Sequence, residues 1–411
     1  MIRIFIAAFI CIHVIYDMLI MMLGNIQRKK PLPAEVADIY DKERYQSYLS
    51  HTADRKKISV VKMSVNFVIT MILLFCPMYA WIEKVGNGNP YIISMITALI
   101  FCVNDMLLAA IFGYYNTFYI EEKYGLNKKD GKEFWKDYWI EQLMGGILTV
   151  VLLLAVTFVG EHMPGWTNQF TVGYGKSFAI CLFVIFIIAV LVIGGGFLSI
   201  VALKKQYIFS EMEEGELKDK INELQSDSKK KVKKIQVYNE SKKSTMKNAF
   251  LLKFLWIREF GIADNFMDEN SEKELLGVLS HEIGHLKHKR NILNYINYAI
   301  YVLAGVVVFL LIAEPGPLLK VTEMTRTSFG IENNNYYLIF IVIENIATPL
   351  FFLFQLFMNY KSRWEEDEAD RNAVANGYGR ELIQMFKNLS KDELVNVYPH
   401  PHRLLPHPPL R

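Results

Sequence analysis

The stretch 276-LGVLSHEIGHLKHKRNIL-293 places His281, Glu282 and His285 within five residues, and an apolar run from Tyr295 to Ala313 begins two residues further on. Ser271 stands three residues before Glu274, a pairing that caps helix N-termini, and the apolar residues Leu275 to Leu279 follow. A helix starting near Ser271 is therefore predicted. Four residues are just over one helical turn, so His281 and His285 fall on the same face, where both imidazoles reach one ion. Glu282 projects from an adjoining part of that helix, close enough to act on a water held at such an ion. Two histidines leave a third protein ligand to find and a fourth position for water. The chemistry such a set supports is metal-assisted amide hydrolysis, with Glu282 taking a proton from the water and passing it to the leaving amine.

The third ligand has several candidates. His288 shares the face of His281 and His285, but three ligands from one straight helix strain a tetrahedron, and Asn291 stands where metzincins carry their third histidine. His400, His402 and His407 lie in a proline-rich tail. The stretch 362-SRWEEDEAD-370 offers Glu365, Glu366, Asp367, Glu368 and Asp370. Spacing alone does not choose among these five. Glu366 and Asp370 are four apart, so that one can bind a metal while the other accepts a hydrogen bond from a ligand histidine.

What surrounds the motif is a membrane protein. Of 411 residues, 52% are hydrophobic and 21% charged, and the apolar residues are gathered into runs near the roughly 20 residues needed to cross a bilayer. Seven such runs stand out: Ile2 to Leu23, Val60 to Ile82, Tyr91 to Tyr115, Leu143 to Val159, Phe178 to Leu203, Tyr295 to Ala313 and Tyr337 to Tyr360. The first is long, contains Asp17 and lacks a small-residue cleavage site, so it is read as a retained span. The four cysteines all lie inside apolar runs, which argues against a disulfide framework and a cysteine zinc site.

The segment from Arg28 to Lys57 carries eight basic residues and the loop after the third run five, whereas alternate loops hold only Lys84, then Lys176, then Lys320 with Arg326. This bias predicts a cytoplasmic carboxyl terminus and an amino terminus on the other side. Four regions follow: five spans with their loops (1–203), a cytoplasmic unit bearing the histidine motif (204–294), two further spans (295–360) and a cytoplasmic carboxyl-terminal segment (361–411). Within the second region, residues from Gly215 to Leu224 read as an amphipathic helix, and Ile235 to Tyr238 and Ala249 to Trp256 as strands. The basic run 229-KKKVKK-234 suits a solvated face or anionic lipid. It belongs to no recognition module, so nucleic acid is excluded as a partner.

With HEIGH on a cytoplasmic helix, Glu366 and Asp370 after a seventh span, and 115-YNTFYIEEKYGLN-127 after the third, the chain resembles the type I CAAX prenyl endopeptidases nearly end to end. The YNTF block is far more specific than the zinc motif. The resemblance implies an all-α integral membrane fold, with seven transmembrane helices in a ring around a chamber, and a mainly helical zinc-protease domain with a small β element. It implies one zinc ion held by His281, His285 and Glu366, with Glu282 as base and Asp370 hydrogen-bonded behind the ligands. It also implies an edge strand at Asn248-Ala249 that pairs with substrate backbone, and an oxyanion-supporting histidine for which His407, in 407-HPPL-410, is the best match; Arg411 is the nearest counterpart of the arginine that follows in the family. The expected partners are the lipid bilayer and protein or peptide substrates, prenylated in the family's case. The expected location is the plasma membrane of a bacterium or the endoplasmic reticulum of a eukaryote, with the protease domain cytoplasmic.

Competing readings remain at this point. One is a quality-control metalloprotease indifferent to prenyl groups. Another is a channel or transporter with a structural zinc site, against which Glu282 argues, because a structural site needs no base. An intramembrane site-2-type protease is disfavoured because Lys287, Lys289 and Arg290 would have to sit in lipid.

Overall fold

The computed structural model describes residues 2–28, 37–169, 193–228, 231–287, 293, 295–296 and 316–394. The amino-terminal part is built of long helices: α1 (Ile2–Arg28), α2 (Lys42–Phe75), the short α3 (Met78–Val85), α4 (Pro90–Tyr115), α5 (Gly131–Gln169) and α6 (193–206). Four helical stretches, Ile2–Ile26, Lys42–Phe75, Pro90–Glu121 and Gly131–Phe158, are long and apolar enough to cross a membrane. Their outward faces carry Ile12, Val68, Ile72, Leu107, Ile111 and Leu143, all exposed. A continuous apolar surface of this kind is costly in water and at home in lipid. The expected sixth span beyond Ile296 and the front of the fifth lie outside the described residues.

Helix boundaries follow local chemistry. Asp41 caps α2, accepting from the Arg44 amide at 2.8 Å. The helix stops at Phe75, two residues before Pro77, so the apolar run expected as one span from Val60 to Ile82 is two helices with a break between them. Asn89 caps α4 and Pro90 occupies its first turn. The YNTF block leaves α4 as a π-helical turn, Asn116–Glu121, whose Glu121 carboxylate meets His51 Nε2 of α2 at 3.1 Å.

The cytoplasmic unit contains a four-stranded sheet in the order β1-β2-β4-β3, formed by β1 (Phe209–Glu211), β2 (Lys234–Tyr238), β3 (Ala249–Phe254) and β4 (Ile257–Ala263). β2 and β4 are parallel and the other two pairings antiparallel. α7 (Glu216–Leu224) and α8 (Asp264–Glu269) flank it. β4 is central and therefore apolar, with Phe260, Ile262 and Ala263 fully buried. β3 is an edge strand, joined to β4 by a tight turn in which Leu255 adopts φ +51°. The sheet packs on α9 (Glu272–Lys287) through Leu275, Leu276, Leu279 and Ile283. Three further helices complete the described chain: α10 (Gly316–Phe329), the 40-residue α11 (Tyr336–Ala375) and α12 (Gly379–Asp392).

One buried cluster fastens the sheet to the helical bundle. Lys243, fully buried, places Nζ 2.7 Å from both Asp137 carboxylate oxygens, and Lys129 Nζ approaches the same carboxylate at 2.8 Å. A second joint lies at the end of α12, where the Glu393 carboxylate accepts from the Lys247 amide at 2.8 Å. Burial, the dominant influence, together with the neighbouring Asp392 and Glu240 carboxylates, pushes Glu393 up to about 7, against the opposing pull of Lys247. The native fold thus holds this proton more tightly than the unfolded chain. The stability it contributes is complete below the ordinary carboxylate pKa and is lost as pH rises through 7. Glu393→Gln is expected to match wild type in thermal unfolding at pH 4.5, and to exceed it by about 3 kcal/mol at pH 8.

Candidate metal centre

The helix start expected at Ser271 is formed by reciprocal bonds: the Ser271 amide donates to Glu274 Oε2 at 3.0 Å, and the Glu274 amide to Ser271 Oγ at 3.3 Å. From that cap, α9 runs along its buried face to His281 and His285. The rings lie 5.0 Å apart between centroids, as the four-residue spacing requires.

α11 brings Glu366 against both. His281 Nε2 is 3.3 Å from Glu366 Oε2, and His285 Nε2 is 3.9 Å from Glu366 Oε1. One ligand atom from each of the three residues lies within 4.8 Å of the others. Zinc bonds of about 2.0–2.2 Å in a tetrahedron separate neighbouring ligand atoms by about 3.4 Å. The donor set and its spacing fit a zinc ion. On the far side, His281 Nδ1 is 2.8 Å from Asp370 Oδ1. In the neutral ring, a proton on Nδ1 would free the Nε2 lone pair for a metal ion. Burial alone would push the His281 imidazole down, but hydrogen bonds to Asp370 and Glu366 and the charge of Glu282 raise it to about 9. The pocket is therefore strongly attractive to positive charge.

The register between the two helices is set by residues that sequence reasoning missed. A Cβ at Gly284 would lie 2.7 Å from Ala369 Cα and 3.1 Å from Asn372 Cβ, so the backbones touch. Asn372 Nδ2 donates to the Ser280 carbonyl at 2.6 Å, and Asn376 Nδ2 to Ser280 Oγ at 2.8 Å. The available signal was a small-residue stripe: Gly277 and Gly284 seven apart on one helix, Ala369 and Ala373 four apart on the other. Gly277 in turn lets α12 approach, its missing Cβ lying 3.1 Å from the Leu382 amide nitrogen. α12 then brings Phe386 to 6.2 Å from the His281 ring.

Of the other expected site residues, Asn248 is exposed and immediately precedes the edge strand. Its carbonyl accepts from the Ala263 amide at 2.9 Å, and Ala249 pairs with Ile262. His288, His400, His402 and His407 lie outside the described residues.

Asp370→Ala leaves the three donor groups in place and removes the partner of His281 Nδ1. Loss of such a partner weakens metal binding by about 10- to 100-fold, to be read by competition with a calibrated chelator.

Comparison with known proteins agrees with this architecture. The CAAX prenyl protease N-terminal pattern of five membrane helices matches residues 23–193, and peptidase family M48 matches residues 211–411. A Schizosaccharomyces pombe protein named "Probable CAAX prenyl protease 1" is 26% identical over 403 residues, spanning 92% of this chain and 81% of its own. An Arabidopsis thaliana "CAAX prenyl protease 1 homolog" is 24% identical over 374 residues, spanning 88% and 84%. The crystal structure of S. mikatae Ste24p shares the fold, with a TM-score of 0.76 at 20% identity over 97% of this chain and 93% of that one. Apolar spanning helices, a small sheet and a His-His-Glu cluster together define a membrane-embedded metallopeptidase. The chain belongs to peptidase family M48, with the CAAX prenyl protease type of membrane region in front of the peptidase unit.

Proposed function

We propose that this protein is a zinc endopeptidase that removes the carboxyl-terminal tripeptide from prenylated CAAX proteins at the cytoplasmic face of its membrane. The observation that carries the reading is the donor set of His281, His285 and Glu366, gathered at metal-ligand spacing on two helices, one of which has an apolar front half. The names of the relatives supply the substrate class.

In this reading one zinc ion per chain is held by those three side chains and supplies Lewis acidity toward the scissile carbonyl and the attacking water. Glu282 accepts the water's proton and delivers it to the departing amine. Asp370 keeps the His281 ring turned toward the ion. The edge strand β3, from Asn248 and Ala249 onward, aligns the substrate backbone by strand addition, and His407 steadies the developing oxyanion. The catalytic unit comprises 204–294 and 361–411, with the remainder holding the membrane-anchored substrate. The basic loops supporting a cytoplasmic site are those of 28–57 and 123–136.

The test measures zinc content and cleavage of a farnesylated CAAX peptide beside its unprenylated twin. One zinc per chain and cleavage confined to the farnesylated peptide are expected. Absence of zinc would overturn the hydrolase assignment, and equal cleavage of the two peptides would mark a quality-control protease instead.

A further inference from the structure

Away from the metal centre, a cavity of about 690 Å³ opens where α2, the π-helical turn, the approach to β3 and the end of α12 meet. That volume is in the range of ligand pockets and holds several side chains. Its lining is charged: Arg55, Lys56, Lys129 and Lys243 face Glu121, Glu240 and Glu393. The carboxylates are already engaged, Glu121 by His51 at 3.1 Å, Glu240 by Ser244 Oγ at 2.6 Å and Glu393 by the Lys247 amide at 2.8 Å. Lys243 and Lys129 are drawn to Asp137, and Lys56 Nζ donates to the Met21 carbonyl at 2.9 Å. Arg55 differs. Its side chain is 58% exposed, and its one charge partner among the described residues is Glu121, reached through Nε at 3.7 Å.

Two measures place this cavity relative to the metal centre. Phe386 packs against the His281 ring, and Glu393, on the cavity wall, caps the same helix seven residues later, a rise of about 10 Å. Met246, also on the wall, is three residues before Ala249, the start of the edge strand. β3 also passes the metal centre, where Lys253 Nζ donates to the His285 carbonyl at 3.3 Å, so a peptide laid along that edge runs toward the cavity in one direction, and the rise of about 10 Å along α12 is the length of three extended residues. The lining decides which end of the substrate goes there. A prenyl chain would have to desolvate several charges, whereas a carboxylate is suited to a guanidinium fork.

Building on the tripeptidase reading above, we propose that this cavity receives the three departing residues and that Arg55 binds their terminal carboxylate. Arg55 then measures the tail, requiring a free carboxyl group three residues beyond the scissile bond. The experiment compares a farnesylated CAAX peptide with the same peptide amidated at its carboxyl terminus. With wild-type protein the amide is expected to raise KM about 10- to 100-fold, the range for losing a hydrogen-bonded charge partner, with kcat little changed. Arg55→Gln should raise KM for the acid by a similar factor and abolish the preference, and Arg55→Lys should restore part of it. Equal KM for acid and amide on the wild-type protein, a comparison that needs no variant to fold, overturns the inference while leaving the tripeptidase reading intact. So does an acid preference retained by Arg55→Gln. Failure to cleave either prenylated peptide overturns both.

Discussion

Glu282→Gln is expected to lower kcat for peptide cleavage by about 10²- to 10⁴-fold while metal content stays at the wild-type level. The amide has the shape of the carboxylate and keeps its place on α9, so the helix and its ligands are undisturbed. What it lacks is the ability to take a proton from water and return it to the leaving amine. Parallel measurement of kcat and bound metal separates this role from a ligand role. Activity near wild type would remove Glu282 from the chemistry, and loss of metal would make it a ligand.

Glu366→Ala should act in the opposite order, with metal lost first and activity as a consequence. Binding energies of about 10–16 kcal/mol shared among four zinc ligands assign each about 2.5–4 kcal/mol, or roughly 60- to 700-fold in affinity. The fold is expected to survive, because α9 and α11 are held together by the Gly284 to Ala369 contact and by Asn372 and Asn376 on Ser280, none of which involves Glu366. Chelator competition reads the affinity and thermal unfolding reads the fold. Unchanged metal affinity would move the third ligand elsewhere, to Glu365, Asp367, Glu368 or a histidine of the tail.

The readability of the site in the sequence divides along a physical line. His281, Glu282 and His285 are legible because their relation is local: a helix fixes the geometry of positions i and i+4 whatever surrounds it. The Ser271 to Glu274 cap and α7 are legible for the same reason. Glu366 was one of five neighbouring carboxylates until the resemblance singled it out, since its approach to the histidines depends on how two helices cross. Ser280, Asn372 and Asn376 were invisible. Polar side chains on exposed and buried faces look alike in a sequence, and only the crossing tells which are which. In the sheet, β2 and β3 appeared as apolar runs, but β1 is only three residues long, and β4 follows β3 after a turn without glycine or proline. In the membrane region, hydropathy located the described spans and misjudged their ends. α2 begins eighteen residues before its apolar part, because Asp41 and not hydrophobicity starts the helix.

The metal centre also carries a consequence for how the protein is made. Its two histidines emerge from the ribosome about eighty residues before Glu366. Glu366 itself trails the apolar front of α11, a single helix of 40 residues, or about 60 Å. Should the three side chains hold a metal, the set is therefore incomplete in a nascent chain until the apolar front of α11 has been made and Ala369 has met Gly284. Metal binding at this donor set would then report that the two helices have come together.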